Sequence, residues 1–188
     1  MKSLNQYITE KLKVSKKQYN YCPKTKEELD DLLEQLLEKR GREADLNDID
    51  TSNITDMSDL FYEIEDFNSD ISGWNVSNVT NMRNMFYYCK SFEGKGLEKW
   101  DVSNVINAEY MFAYCNSLDC DLSNWDVSNV TDMESMFLNC KKLDCNLSNW
   151  DVSNVKNMCE MFNGCKSFEG KGLENWDVSK VTNMNSMF

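Results

Sequence analysis

The sequence predicts an α/β solenoid of 25–26-residue coils, each holding one short strand and one short helix, with a helical cap at its N-terminal end. Three observations carry that expectation. A phrase close to Trp-Asp-Val-Ser-Asn-Val-Thr-x-Met-x-x-Met-Phe recurs from Trp74, Trp100, Trp125, Trp150 and Trp176, with a degenerate copy from Ile49, so successive starts lie 25, 26, 25, 25 and 26 residues apart. Inside each copy the apolar residues change spacing, from alternation around Trp to a helical interval around Met-x-x-Met-Phe. Ahead of the copies stands a leucine stripe that suits a lid over the first coil.

The chain has 188 residues, one Pro and no Gly/Ser-rich stretch, which favours one continuous body. Residues 1–45 are expected to form the helical cap with a basic arm, and residues 46–188 about five and a half coils that stop in mid-repeat. Leu4, Tyr7, Ile8 and Leu12 follow helical spacing, so residues 4–13 are read as a short amphipathic helix. A second helix starts after Pro23, where Thr25 and Glu28 match a capping box. Leu29, Leu32, Leu33, Leu36 and Leu37 form its stripe, and Gly41 stops it.

Within a coil, Trp100 and Val102 alternate around Asp101, which reads as a strand of three or four residues. Ser77/Asn78, Ser103/Asn104, Ser128/Asn129 and Ser153/Asn154 read as turn-makers whose side chains accept backbone N–H groups. Met82, Met85, Phe86 and Cys89 lie at i, i+3, i+4 and i+7, one face of a short helix. Aligned copies give nine apolar columns, in one coil Phe92, Leu97, Trp100, Val102, Val105, Ala108, Met111, Phe112 and Cys115.

The eight Cys admit three readings. Cys89, Cys115, Cys140 and Cys165 share a column with Ile64, as buried structural thiols would. Disulfides would require export. Cys115-x4-Cys120 with Cys140-x4-Cys145 loosely resembles four-thiolate zinc spacing. Asp101, Asp126, Asp151 and Asp177 suit capping of local N–H groups, with calcium between coils as the alternative. No metal and no cofactor is assigned. His is absent and no nucleophile or phosphate-loop signature stands out, so no catalytic residue is assigned either.

The net charge of −12 is uneven: residues 1–24 net +5, residues 25–70 net −12 and the remainder −5. An acidic body repels nucleic acid, and the basic arm lacks interleaved aromatics, so no nucleic-acid partner is expected. No apolar run approaches the roughly 20 residues of a membrane helix. The N-terminus lacks an export signal, which places the chain in the cytoplasm as written, and at the cell surface if the native reading frame supplies one.

Positions that vary between copies are the candidates for recognition. Tyr62, Tyr87, Tyr88, Tyr110 and Tyr114 cluster there in the first three coils, with Arg83 and Glu109 beside them. Tyr offers a rigid apolar body with a polar tip, a common interface residue, although rings leaning on the helix row would serve packing instead. The expected function is a non-enzymatic interaction or adhesion module that shows this face to a protein partner. Two alternatives stand beside it: an acidic intracellular inhibitor imitating nucleic acid, and a fragment of a surface adhesin. The open last coil, ending at Met187 and Phe188, points either to a longer array or to end-to-end self-association.

The copies, most fully Trp-Asp-Val-Ser-Asn-Val-Thr-Asp-Met-Glu-Ser-Met-Phe at 125–137, resemble the repeat of the BspA-family leucine-rich-repeat surface proteins, also known from mycoplasma lipoproteins. The resemblance spans residues 46–188, with Met, Phe, Val and Trp where Leu is usual. It implies a right-handed leucine-rich-repeat-like solenoid and a role in adhesion or protein binding, and it brings no catalytic residues.

Overall fold

The computed structural model describes residues 18–188. The helix expected at residues 4–13, and with it most of the basic arm, lies outside the described residues. Helix α1 runs Lys26–Arg40. Thr25 Oγ1 accepts the N–H of Glu28, a free donor of the first turn, and the Glu28 carboxylate reaches back to accept the N–H of Lys24, just ahead of the cap, at 2.7 Å. Leu29, Leu33, Leu36 and Leu37 are buried against the first coil, with Leu32 packed at the edge. Gly41, at φ 86°, turns its N–H back to the Leu37 carbonyl and ends the helix.

Arg40, in the last turn, holds Asp48 through two hydrogen bonds of 2.9 and 3.0 Å, and Asn20 adds a third at 2.8 Å. These bonds, that of Arg40 foremost, lower the Asp48 pKa to about 2. Tyr21 bridges in parallel to Ile49, so the segment before α1 is also fastened to the first coil.

Beyond α1 the expected elements are missing. Among the described residues there is no sheet, only isolated parallel bridges, and the sole further helical pieces are three-residue 3-10 turns at Leu97–Lys99 and Leu173–Asn175. The described residues are mostly turn and irregular backbone. The α/β class, with its right-handed leucine-rich-repeat-like solenoid of strand plus helix, is therefore overturned.

Hydrogen bonding gives the physical reason. In the segment read as a helix, the N–H groups of Met82, Asn84, Phe86 and Tyr88 leave their own coil and reach the carbonyls of Asn107, Glu109, Met111 and Ala113 at 2.8–2.9 Å. The N–H groups between them close tight local turns, Met85 to Met82, Tyr87 to Asn84 and Cys89 to Phe86, at 3.0–3.2 Å. This alternation needs a left-handed residue at every fourth position. Asn84 and Tyr88 supply it at φ 55° and 64°, as Asp59 and Glu63, Tyr110 and Tyr114, and Ser135 and Asn139 do in other coils. Consecutive turns of four residues present side chains at the same i, i+3, i+4 and i+7 interval as a helix.

The expected strand fails for a second reason. Asp101 Oδ1 accepts the N–H of Ser103 at 3.2 Å, and the N–H of Val105 then closes onto the Val102 carbonyl at 2.9 Å. An Asx turn followed at once by a β-turn reverses the chain before a strand can extend. Adjacent coils pair at one residue each, through the chain of bridges Asp56, Asn81, Asn107, Asp132, Asn157 and Asn183.

What stacks the coils is a set of side-chain ladders. Phe61, Phe86, Phe112, Phe137 and Phe162 lie ring on ring with centroids 5.4–5.8 Å apart. Each Trp donates its indole N–H to a Leu or Ile carbonyl of the preceding coil, for example Trp125 to Leu97 at 2.8 Å. The Asn of each Ser-Asn pair donates backward as well, Asn104 to the Ser77 carbonyl and Asn129 to the Ser103 carbonyl, both at 2.7 Å. The expectation that these Asn accept within their own turn is thus corrected. Their bonds run between coils. All nine apolar columns of the sampled coil are buried.

Candidate functional site

Each pair of varying positions ends on a left-handed residue, Tyr88, Tyr110 and Tyr114 among them, and the turns fix where these side chains emerge. Tyr62 is 43% exposed and lies flat on Tyr87, with centroids 4.9 Å apart and planes 8° apart. Tyr87 meets Tyr114 edge-on at 5.7 Å and Tyr110 at 6.2 Å, and Tyr88 tilts against Tyr114 at 5.3 Å. The five tyrosines thus form one contiguous surface over three coils. All but Tyr62 are half-buried, so packing and presentation coexist in the same rings. They stand on a ladder of turns rather than on a helix face.

Arg83 pairs with Glu109 at 3.3 Å across neighbouring coils. Burial raises the Glu109 pKa, Asp132 and Glu134 push the same way, and Arg83 opposes them. Burial is also the leading cause that raises the Tyr62, Tyr87 and Tyr110 hydroxyls.

Two side chains outside the assigned site residues contribute, Lys90, which sequence reading missed, and Glu134, which stands at a varying position. Lys90 places its ammonium 4.2 Å from the centre of the Tyr88 ring and 3.0 Å from the Glu65 carboxylate. Glu134 accepts the Tyr110 hydroxyl at 3.0 Å and the Asn157 amide at 2.7 Å. Lys90 follows Tyr88 by two residues in the same coil and lies one coil-step from Glu65, and Glu134 lies one coil-step from Tyr110 and Asn157, so the carboxylate partners are visible only once the register is known.

The thiol column makes a ladder of its own. Cys89, Cys115 and Cys140 donate to the carbonyls of Phe61, Phe86 and Phe112, each at 3.0 Å, and Cys165 to that of Phe137 at 2.8 Å. Burial pushes the Cys115 and Cys140 thiols well above the ordinary range. The eight thiols are free. Asp126, Asp151 and Asp177 each accept a Ser N–H two residues on at 3.0 Å, as Asp101 does, so this row caps its own turns. Among the described residues no group of three or more Cys, Asp and Glu side chains is arranged to hold a metal ion. A polar recess of about 690 Å³, lined by Glu43, Asn68, Asp70, Glu93, Lys95 and Lys99 among others, shares no residue with the tyrosine surface. No helix among the described residues is long and apolar enough to cross a membrane.

No curated protein and no solved structure matched the chain. One family model did, over residues 28–144 and again over 116–188, which together take in α1 from its third residue and every coil. With this match over most of its length, the chain belongs to the family described as Mycoplasma protein of unknown function, DUF285.

Proposed function

We propose that the chain is a non-enzymatic interaction module that presents its tyrosine surface to a protein partner. The observation that carries this reading is the contiguity of Tyr62, Tyr87, Tyr88, Tyr110 and Tyr114 over three successive coils. The core columns hardly vary, yet the same slots in later coils carry Ala113, Leu138, Asn139 and Gly164, so the aromatic character is local and not a requirement of stacking. Rings that are already packed lose little side-chain freedom on docking, which favours affinity per unit of area. Membership in a Mycoplasma family, with the BspA-like text of the repeats, supports adhesion at a cell surface as the setting.

The test is affinity capture from a lysate of the native host, comparing wild type with Tyr87, Tyr88, Tyr110 and Tyr114 all changed to Ala, each checked for folding by thermal melt. A specific protein retained by wild type at low and high salt and released by the substitutions is the expected result. Equal retention by both forms refutes the assignment of this surface.

A further inference from the structure

Carboxylates, not cations, dominate the border of the tyrosine surface. Asp59, Glu63, Glu65, Glu109 and Glu134 lie along it, against Arg83 and Lys90. Both cations are already engaged, Arg83 by Glu109 at 3.3 Å and Lys90 by Glu65 at 3.0 Å. Asp59, Glu63 and Glu134 have no cationic partner among the described residues, and Asp59 and Glu134 accept hydrogen bonds only from neutral groups.

Lys90 demonstrates what such a border can hold. Its ammonium rests between the face of Tyr88 and the Glu65 carboxylate, so one ring and one carboxylate of adjacent coils together seat a cation. Tyr62 and Glu63 bring a ring and a carboxylate together again, here as consecutive residues of one coil. One face of Tyr62 is covered by Tyr87, the residue remains 43% exposed, and the Glu63 carboxylate lies against its hydroxyl, with Tyr87 and Asp59 also close enough to act on it. Among the described residues the cation-to-ring contacts are Lys90 over Tyr88 and Arg40 over Tyr21, and neither uses Tyr62.

Resting on the interaction-surface reading above, we propose that the partner docks here through a cationic segment, an Arg or Lys side chain lying on the Tyr62 ring with its charge against Glu63. Arg suits the site best, because its planar guanidinium can stack on a ring and donate in-plane to a carboxylate. The net charge of −12 draws such a segment from a distance, and the packed rings supply the contact.

The probe is the peptide acetyl-Arg-Gly-Arg-Gly-Arg-amide, titrated into the full chain by calorimetry at about 20 mM and about 300 mM salt, a range over which surface charges pass from weakly to strongly screened. Its neutral control replaces each Arg by citrulline, which keeps the shape and removes the charge. Expected are saturable binding of the Arg peptide that weakens with salt, no binding of the citrulline peptide, and a loss of about two- to fivefold for Tyr62→Ala and for Glu63→Gln. Equal binding of the two peptides, absence of saturable binding by the Arg peptide, or an unchanged Kd for either substitution overturns the proposal. A host partner released by the four Tyr changes but indifferent to Glu63→Gln leaves the interaction surface standing and removes only its cationic ligand. A partner indifferent to the Tyr changes removes both.

Discussion

Glu160→Gly has opposite consequences in a helix and in the turn ladder, and its sign can be worked out beforehand. Glu160 sits at φ 55°, makes no ion pair among the described residues, and sends its N–H to the Asn185 carbonyl at 2.9 Å. Four residues on, the same coil already uses Gly164 at φ 76° in the next left-handed slot. Holding a residue with a Cβ in this conformation costs about 1–2 kcal/mol, which glycine avoids. Against that stands glycine's freer unfolded chain, about 0.4–1 kcal/mol. The net is a stabilisation of about 0.8 kcal/mol, or roughly 2–3 °C in Tm for a chain of this size. In a helix interior the same change would instead destabilise by somewhat under 1 kcal/mol. Glu160→Ala removes the same charge without relieving the backbone, so the Gly variant should melt above the Ala variant. Thermal melts of the three proteins, followed by calorimetry, make the comparison. A Gly variant melting below the Ala variant would refute the turn-ladder account.

Phe112→Ala removes a fully buried ring stacked at 5.5 Å on Phe86 and 5.8 Å on Phe137, and is expected to cost about 3–5 kcal/mol by chemical denaturation. Because the Asp48 pKa is lowered to about 2 from 3.8, its bond to Arg40 contributes stability that is complete above pH 3.8 and fades as pH falls toward 2. Asp48→Asn should therefore be about 1–2 kcal/mol less stable than wild type at pH 7, with the gap closing on acidification through that window. Toward a thiol reagent at pH 8, exposed Cys22 should react at once, whereas buried Cys115 and Cys140 should wait for unfolding, as native and denatured labelling followed by mass spectrometry will resolve.

The period, the apolar columns and α1 were legible because each rests on burial, and burial depends on which residues recur rather than on backbone detail. The ladder of turns was not legible from spacing, since two four-residue turns and a two-turn helix share the same apolar interval. The usual clue to left-handed backbone is glycine, and here Glu63, Tyr88, Tyr110 and Ser135 occupy those positions instead. Likewise Asp101 between Trp100 and Val102 reads as the outward residue of a strand, yet its carboxylate captures the Ser103 N–H and turns the chain. The tyrosines were found by comparing copies, a purely sequential operation. Their setting was not, because Glu65 beside Lys90 and Glu134 beside Tyr110 depend on which residues the stack brings alongside one another.

The indole and thiol side chains of each coil donate toward the preceding coil, as does the Asn of each Ser-Asn pair, while alternate N–H groups of the four-residue turns donate toward the following one. Every junction therefore offers the same plug and the same socket. A gene encoding such a chain can gain or lose a whole unit by unequal recombination without creating a new kind of junction. Lengthening the array moves the tyrosine-bearing units relative to its ends and leaves their own neighbourhood intact, so reach and recognition can change independently of each other.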